Sequence, residues 1–225
     1  MNSYYAEKLS GLRLKRCYEV SSPRIRQYLE AEIRHVLDSL QPGDTVLELG
    51  CGYGRATFRL VEVARFAVGI DNALDNLNLA RELANPGSRC EFLGMDALHL
   101  GFTDGVFDAV ICIQNGICAF RIDQEALLKE ALRVTRSGGR VLLSTYSDRF
   151  WQDRLEWFEA QAAEGLVGPI DHDASGNGVI ACKDGFRSGR ASPVGFRVLC
   201  SGLGYNPDIK EVDGSSVFCR ICKAE

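Results

Sequence analysis

The chain has 225 residues, enough for one large domain with a substantial buried core. Its 46% hydrophobic and 25% charged side chains exclude an extended disordered chain, a collagen or a coiled coil. With 26 basic against 30 acidic side chains and a net charge of -4, it has no global electrostatic footprint for a phosphate backbone, so no nucleic-acid partner is expected.

The nine cysteines are scattered and odd in number, unlike a disulfide scaffold, and read as reduced thiols in a cytoplasmic protein. The first residues, MNSYYAEKLSGLRLKRC, carry charges throughout and lack an apolar segment ahead of a cleavage site, which argues against a secretory signal. The longest strongly apolar stretch without a charge, Ala109 to Phe120, falls well short of the ~20 residues of a membrane span, and no membrane partner is expected.

In chain order, Arg24 to Ser39 reads as a helix, with Pro23 at its start and Ile25, Tyr28, Leu29, Ile33, Val36 and Leu37 on one face. Gln41-Pro42-Gly43-Asp44 breaks it, and Thr45 to Leu49 is a buried strand running into a glycine-rich turn and a helical stretch, Arg55 to Ala64. Strand Phe66 to Ile70, helix Ala73 to Leu83, and strands Glu91 to Met95 and Phe107 to Ile113 follow. Next come helix Gln124 to Val134, a Ser137-Gly138-Gly139 stop and strand Arg140 to Thr145.

Phe150 to Glu164 reads as an aromatic-rich helix and Gly165 to Pro193 as a glycine-punctuated loop, a lid or binding insert rather than filler. Helix Val194 to Leu203 and strands Ile209 to Val212 and Ser216 to Cys222 close the chain, the last two joined by an Asp213-Gly214 hairpin turn. Strands alternating with helices at this spacing predict an α/β fold: a doubly wound, mostly parallel seven-stranded sheet with an antiparallel edge hairpin and an inserted lid segment. One domain, 1–225, is expected, divided into an N-terminal cap (1–23), a cofactor-binding core (24–147), a lid insert (148–193) and a closing helix with strands (194–225).

The central motif is Glu48-Leu49-Gly50-Cys51-Gly52-Tyr53-Gly54, a buried strand entering a glycine turn at the carboxyl end of the sheet, where open α/β sheets bind ligands. The dinucleotide fingerprint needs its third glycine at position 55, but Arg55 stands there. Glu48, two residues ahead of Gly50, repels a pyrophosphate and suits an α-ammonium group. Together these favour an adenosine derivative carrying an amino-acid end.

Over Thr45 to Tyr146 the sequence resembles the class I, Rossmann-like S-adenosylmethionine-dependent methyltransferases, through four elements in order. Glu48 to Gly54 resembles their first motif. Asp71, after Phe66-Ala67-Val68-Gly69-Ile70, matches the acidic residue that holds the ribose hydroxyls, with Asn72 at the adenine edge. Gly94-Met95-Asp96-Ala97 resembles the segment whose aspartate accepts from the adenine amino group. Phe107 to Ile111 followed by Gln114-Asn115 resembles the fourth strand, whose end faces the methionine moiety.

The resemblance implies S-adenosyl-L-methionine as cofactor, held by Tyr18, Arg24, Glu48, Gly50, Cys51, Gly52, Asp71, Asn72, Asp96, Ala97 and Gln114. It also implies an N-terminal segment folded over that cofactor, with Tyr18 and Arg24 near the methionine carboxylate or the substrate. The implied activity is methyl transfer to a small-molecule acceptor. A non-catalytic S-adenosylmethionine-binding or interaction module, a nicotinamide-dependent oxidoreductase and an aminopropyl-transferring relative are the alternatives.

Gln114-Asn115-Gly116-Ile117 is not the N/D-P-P-Y/F segment of amino-methylating DNA and protein-glutamine enzymes, and no Pro-Cys pair indicates a cysteine nucleophile. His172, between Asp171 and Asp173, is the one candidate general base, although a solvated loop histidine is the plainer reading. Arg187 and Arg190 hint at an anionic acceptor, against the commoner reading of solvated loop charges. Trp151, Trp157 and Phe158 line a substrate pocket or pack the lid. Cys219 and Cys222 point to opposite faces of a strand and form no metal site.

Overall fold

The computed structural model describes residues 4–224. Two short helices, α1 (Tyr4–Lys8) and α2 (Leu12–Glu19), precede α3 (Pro23–Leu37). Ser22 caps α3 by accepting the Ile25 N–H, and Pro23 supplies the fixed φ of its first turn. Then come β1 (Thr45–Leu49), α4 (Thr57–Leu60), β2 (Phe66–Asp71), α5 (Leu74–Leu83), β3 (Cys90–Gly94) and β4 (Phe107–Cys112). The short helix α6 (Gly116–Ala119), α7 (Gln124–Val134) and β5 (Thr135–Tyr146) complete the parallel part. A 3₁₀ turn, Asp148–Phe150, leads into α8 (Trp151–Ala163), the two-residue strands β6 (Ile180–Ala181) and β7 (Arg187–Ser188), α9 (Pro193–Gly202), β8 (Asp208–Val212) and β9 (Ser216–Cys222).

The sheet runs β3-β2-β1-β4-β5-β9-β8. β1 to β5 are mutually parallel, and β9 is antiparallel to both β5 and β8. This is the expected doubly wound sheet, with its switch point between β1 and β4, where strand order reverses and a crevice opens at the carboxyl ends. Period-2 alternation puts Leu47, Leu49 and Val110 on one face, packed with Leu128 and Ala131, and Val46, Ala109 and Ile111 on the other, against Ile33, Val36 and Leu60. At the end of the sheet, Leu9 and Cys17 join Phe158, Leu166, Ile180 and Phe186 in a separate apolar cluster. The N-terminal helices and the α8–β7 segment therefore pack on each other.

Three local expectations are corrected. The stretch 55–64 is regular helix only at Thr57–Leu60; beyond it Glu62 and Val63 bond three residues back, a tighter 3₁₀-type coil that carries the turn to Ala64. Ser137-Gly138-Gly139 does not stop a helix, since α7 already ends at Val134. It lies in an excursion within β5, where Thr135 pairs with Phe107 and Arg140 with Ala109, and a Cβ on Gly139 would stand 2.9 Å from the Asp108 carbonyl oxygen. The 165–193 stretch is not loop throughout, because β6 and β7 pair in it as a small antiparallel hairpin. No helix among the described residues is long and apolar enough to cross a membrane.

Candidate functional site

β1 delivers Glu48 to the α3–α4 face of the sheet, and the chain then turns through Gly50, Gly52 and Gly54 with φ of +72°, +54° and +84°. Only glycine takes that sequence of conformations without strain. The turn is sewn down by the Cys51 N–H donating to Ile70 O at 2.8 Å and the Gly54 N–H donating to Cys51 O at 2.9 Å. Opposite Glu48 on β2, Gly69 is needed for space, since a Cβ there would lie 2.8 Å from Cys51 Cβ and 2.9 Å from Thr57 Oγ1.

Glu48 is buried and accepts the Thr57 hydroxyl. Burial pushes its carboxyl up to about 7, against the pull of Thr57 and of the Arg55 charge. Asp71, at the end of β2, accepts the Gly52 N–H at 2.9 Å, the Ala73 N–H at 2.8 Å and Asn76 Nδ2 at 3.2 Å. Desolvation still raises its pKa above the ordinary aspartate value. The structure therefore brings Glu48, Gly50, Cys51, Gly52 and Asp71 together around one turn. Asn72 is exposed beside it, and Cys51 is buried with its thiol pushed up by desolvation.

Asp71 faces Gly94 in the β2–β3 register, so Asp96 and Ala97 follow at the neighbouring strand end. Asp96 is largely exposed and accepts the Leu98 N–H at 2.9 Å. On the other side of β1, Gln114 and Asn115 both hold left-handed φ, +54° and +64°. Two consecutive non-glycine residues in that region mark backbone held under constraint by its surroundings. The Gln114 N–H donates to Glu32 Oε2 at 3.0 Å and Ser144 Oγ at 2.8 Å, while buried Asn115 donates to Gly189 O and accepts from the Thr145 hydroxyl.

Tyr18, on α2, donates its hydroxyl to Gln114 Oε1 at 3.0 Å, which puts the N-terminal segment over the strand ends. Leu14 reaches the same place, since a Cβ on Gly52 would lie 3.0 Å from Leu14 Cδ2, and the Phe120 ring covers Gly50. Arg24 goes elsewhere: it pairs with Asp213 at 2.5 Å, donates to the Asp213 carbonyl and lies over the Phe150 ring. Its charge is met at the β8–β9 turn. His172 is exposed, its Nε2 3.8 Å from Glu159, and no contact joins it to the glycine turn.

Trp157 and Phe158 are buried packing residues; Trp157 donates its Nε1 H to Cys17 O at 2.9 Å. Arg190 pairs with Asp148, and Arg187 is exposed. Cys219 is buried and Cys222 exposed, on opposite faces of β9 as expected. Among the described residues no group of three or more His, Cys, Asp or Glu side chains converges as metal ligands.

Sequence reasoning missed Glu32, Arg55, Asn76 and Phe120. Asn76 is buried and links the Gly11 N–H, accepted at 2.7 Å, to Asp71, so it ties the N-terminal helices to the turn. Glu32 was legible, because it falls on the apolar face of α3 between Leu29 and Ile33. The buried carboxylates, the left-handed glycines and the N–H groups around Asp71 fit an amino-acid-bearing adenosine compound, once the Phe120 ring and Leu14 give way.

Residues 46–139 match the family model described as a methyltransferase domain. The chain is 34% identical over 142 residues to the 2-methyl-6-phytyl-1,4-hydroquinone methyltransferase of Synechocystis sp., an overlap of 61% of this chain and 43% of that protein. It spans less than half the length of the first curated relatives it matches. A Pyrococcus horikoshii OT3 protein superposes with a TM-score of 0.68 at 24% identity, over 91% of this chain and 93% of that one. The magnesium protoporphyrin IX methyltransferase of Synechocystis PCC 6803, solved with bound S-adenosylhomocysteine, gives 0.63 at 16% identity, over 98% and 97%. The family match is confined to residues 46–139, and the solved structures share the Rossmann-like fold of the chain.

Proposed function

We propose that the protein is an S-adenosylmethionine-dependent methyltransferase acting on a small-molecule acceptor in the cytoplasm. The observation that carries this reading is the left-handed glycine turn joined to Asp71 through the Gly52 N–H, with buried Glu48 beneath it at the β1–β4 switch point. The related hydroquinone methyltransferase supports a small-molecule acceptor, and the acidic net charge favours one over a nucleic acid. The odd number of scattered cysteines, unlike a disulfide scaffold, supports the location.

When bound, the cofactor supplies a sulfonium methyl whose S–C bond breaks as the bond to the acceptor forms, the acceptor's proton leaving to solvent. Glu48 holds the α-ammonium end. Asp71, fixed by three N–H donors, offers its remaining lone pairs to the ribose diol, and Asp96 and Ala97 meet the adenine. Tyr18, held over the strand ends by Gln114, helps exclude water from the bound cofactor. No side chain is assigned as general base, since His172 stands in solvent; alignment and desolvation carry the rate.

Calorimetric titration tests the cofactor. S-adenosylhomocysteine should bind, and Asp71→Ala should weaken it by more than tenfold, about 1.4 kcal/mol. Preferential binding of NAD would overturn the reading. Incubation of metabolite extracts with labelled methyl donor tests the activity, and donor binding with no labelled product across extracts would support a binding module instead.

A further inference from the structure

Arg154, on α8, is buried to 1% exposure. Its Nη1 donates to Gly178 O at 3.0 Å and its Nη2 to Ser188 Oγ at 2.8 Å, while Nε is buried without an acceptor. Carbonyls and a hydroxyl satisfy donors but do not neutralise a charge, and a buried charge is costly unless it is paired. Arg140, the other buried arginine, is paired with Asp44. No carboxylate among the described residues pairs with Arg154, and desolvation pulls its pKa below the ordinary arginine value.

Phenols surround this guanidinium. Its carbon lies 4.1 Å from the Tyr146 ring centroid at the end of β5, and the groups that bear on its charge are Tyr146, Tyr5 and Tyr28, with Cys118. Tyr28 comes from α3, its ring 5.7 Å from Tyr146 and 6.4 Å from Trp157, and Tyr18 comes from α2, 6.1 Å from Trp157. Burial raises all four phenols above the ordinary tyrosine value and the Cys118 thiol above its own, so they stay neutral and none supplies the missing negative charge. The cluster stands at the carboxyl ends of β4 and β5, where Tyr18 donates to Gln114 Oε1. The contacts of Arg154 are to the 178–189 segment, Tyr146 and Phe158, away from the glycine turn. Of the two loop arginines that suggested an anionic acceptor, Arg190 pairs with Asp148 and Arg187 is exposed.

We infer that Arg154 and the tyrosines around it form the anchoring site for a carboxylate on the methyl acceptor. This rests on the proposed methyl transfer and names the class of its substrate, a small molecule that carries a carboxylate on an apolar or aromatic body. One guanidinium charge matches one carboxylate, whereas a phosphate dianion would bring a second, unpaired charge among the rings. Arg154 Nε donates to the carboxylate, and the Tyr28 and Tyr146 hydroxyls donate to the same group. The carboxylate is the handle and not the methylated atom; it stays on Arg154 while the body of the acceptor lies along Tyr18 toward Gln114.

The test supplies the intact chain with labelled methyl donor and a metabolite extract split on an anion-exchange resin. Labelling should come from the retained, anionic fraction, should survive phosphatase treatment of that fraction, and should give a product that the resin still retains. Tyr28→Phe and Tyr146→Phe, which keep the rings, should each raise the amount of fraction needed for half-maximal labelling by at least fivefold, while S-adenosylhomocysteine affinity stays within twofold of wild type by calorimetry. Arg154→Met should abolish labelling, and the tyrosine variants decide the matter if that protein folds poorly. Labelling from the unretained fraction, its loss on phosphatase treatment, a product that passes through the resin, or unchanged half-saturation in both tyrosine variants would overturn the carboxylate anchor. Wild-type protein that binds S-adenosylhomocysteine but labels nothing in either fraction would instead overturn the proposed methyl transfer.

Discussion

Single residues here carry constraints that the sequence shows only in part. Gly50 was legible as a turn glycine, but the reason it tolerates no side chain is tertiary: a Cβ there meets left-handed strain and the Phe120 ring. Gly50→Ala should cost roughly 1–3 kcal/mol of stability, read by urea denaturation at constant m-value, and should also weaken S-adenosylhomocysteine. Glu32 makes a prediction in pH. It is fully buried, and burial pushes its carboxyl up to about 7 against the pull of Ser144, Ser216, Arg55 and the Gln114 amide. The unfolded chain releases this proton near the ordinary 4.5, whereas the folded chain keeps it to about 7, so its contribution is whole below pH 4.5 and lost as pH rises through 7. Glu32→Gln stays neutral and keeps an oxygen for the Gln114 N–H. Its stability relative to wild type should therefore climb between pH 5 and pH 8 by up to about 3 kcal/mol, measured by denaturation at each pH. A pH-independent difference would mean that the carboxylate is charged throughout.

Elements were legible where local chemistry decides them. Pro23 after Ser22, Asp123 before α7 and Ser192-Pro193 before α9 all act as the start signals they resemble, and Asp213-Gly214 turns the final hairpin with φ of +56° and +62°. What the sequence could not show is where distant elements meet. The Gly138-Gly139 excursion depends on Arg136 reaching Asp108, and the β6–β7 hairpin depends on α8. Arg154 on α8 is fully buried, and donates to Gly178 O at 3.0 Å, Ser188 O at 2.5 Å and Ser188 Oγ at 2.8 Å. It does so over the Tyr146 ring, so one side chain ties the 164–192 segment to the end of β5. Arg154→Met fills similar volume without donors and leaves those carbonyls unpaired. Amide exchange over residues 178–190 should then speed up roughly tenfold or more while β1, β2 and β4 keep their protection. Unchanged exchange would show that apolar packing of Phe158, Leu166 and Phe186 holds the segment alone.

At the scale of the whole molecule, the site is assembled from parts far apart in the chain. Asp71 reaches the N-terminal helices through Asn76 and Gly11, Gln114 reaches them through Tyr18, and Trp157 reaches them through the Cys17 carbonyl. A ligand gripped by the glycine turn and by α2 therefore stabilises more than its immediate contacts, because releasing α2 breaks its contacts to α5, the β4 end and α8 together. Mass action sets the scale: a ligand at one hundred times its Kd adds about 2.7 kcal/mol, and for a chain of this length each kcal/mol moves Tm by roughly 2–4 °C. S-adenosylhomocysteine at that concentration should raise Tm by roughly 5–11 °C, with NAD at the same concentration leaving it unchanged. Amide exchange should slow over residues 11–19 as well as 50–54, since the cap and the turn close on the same molecule. Protection confined to 50–54 would mean that the N-terminal helices stand aside from the bound ligand, and that Tyr18 and Leu14 cover the turn only in its absence.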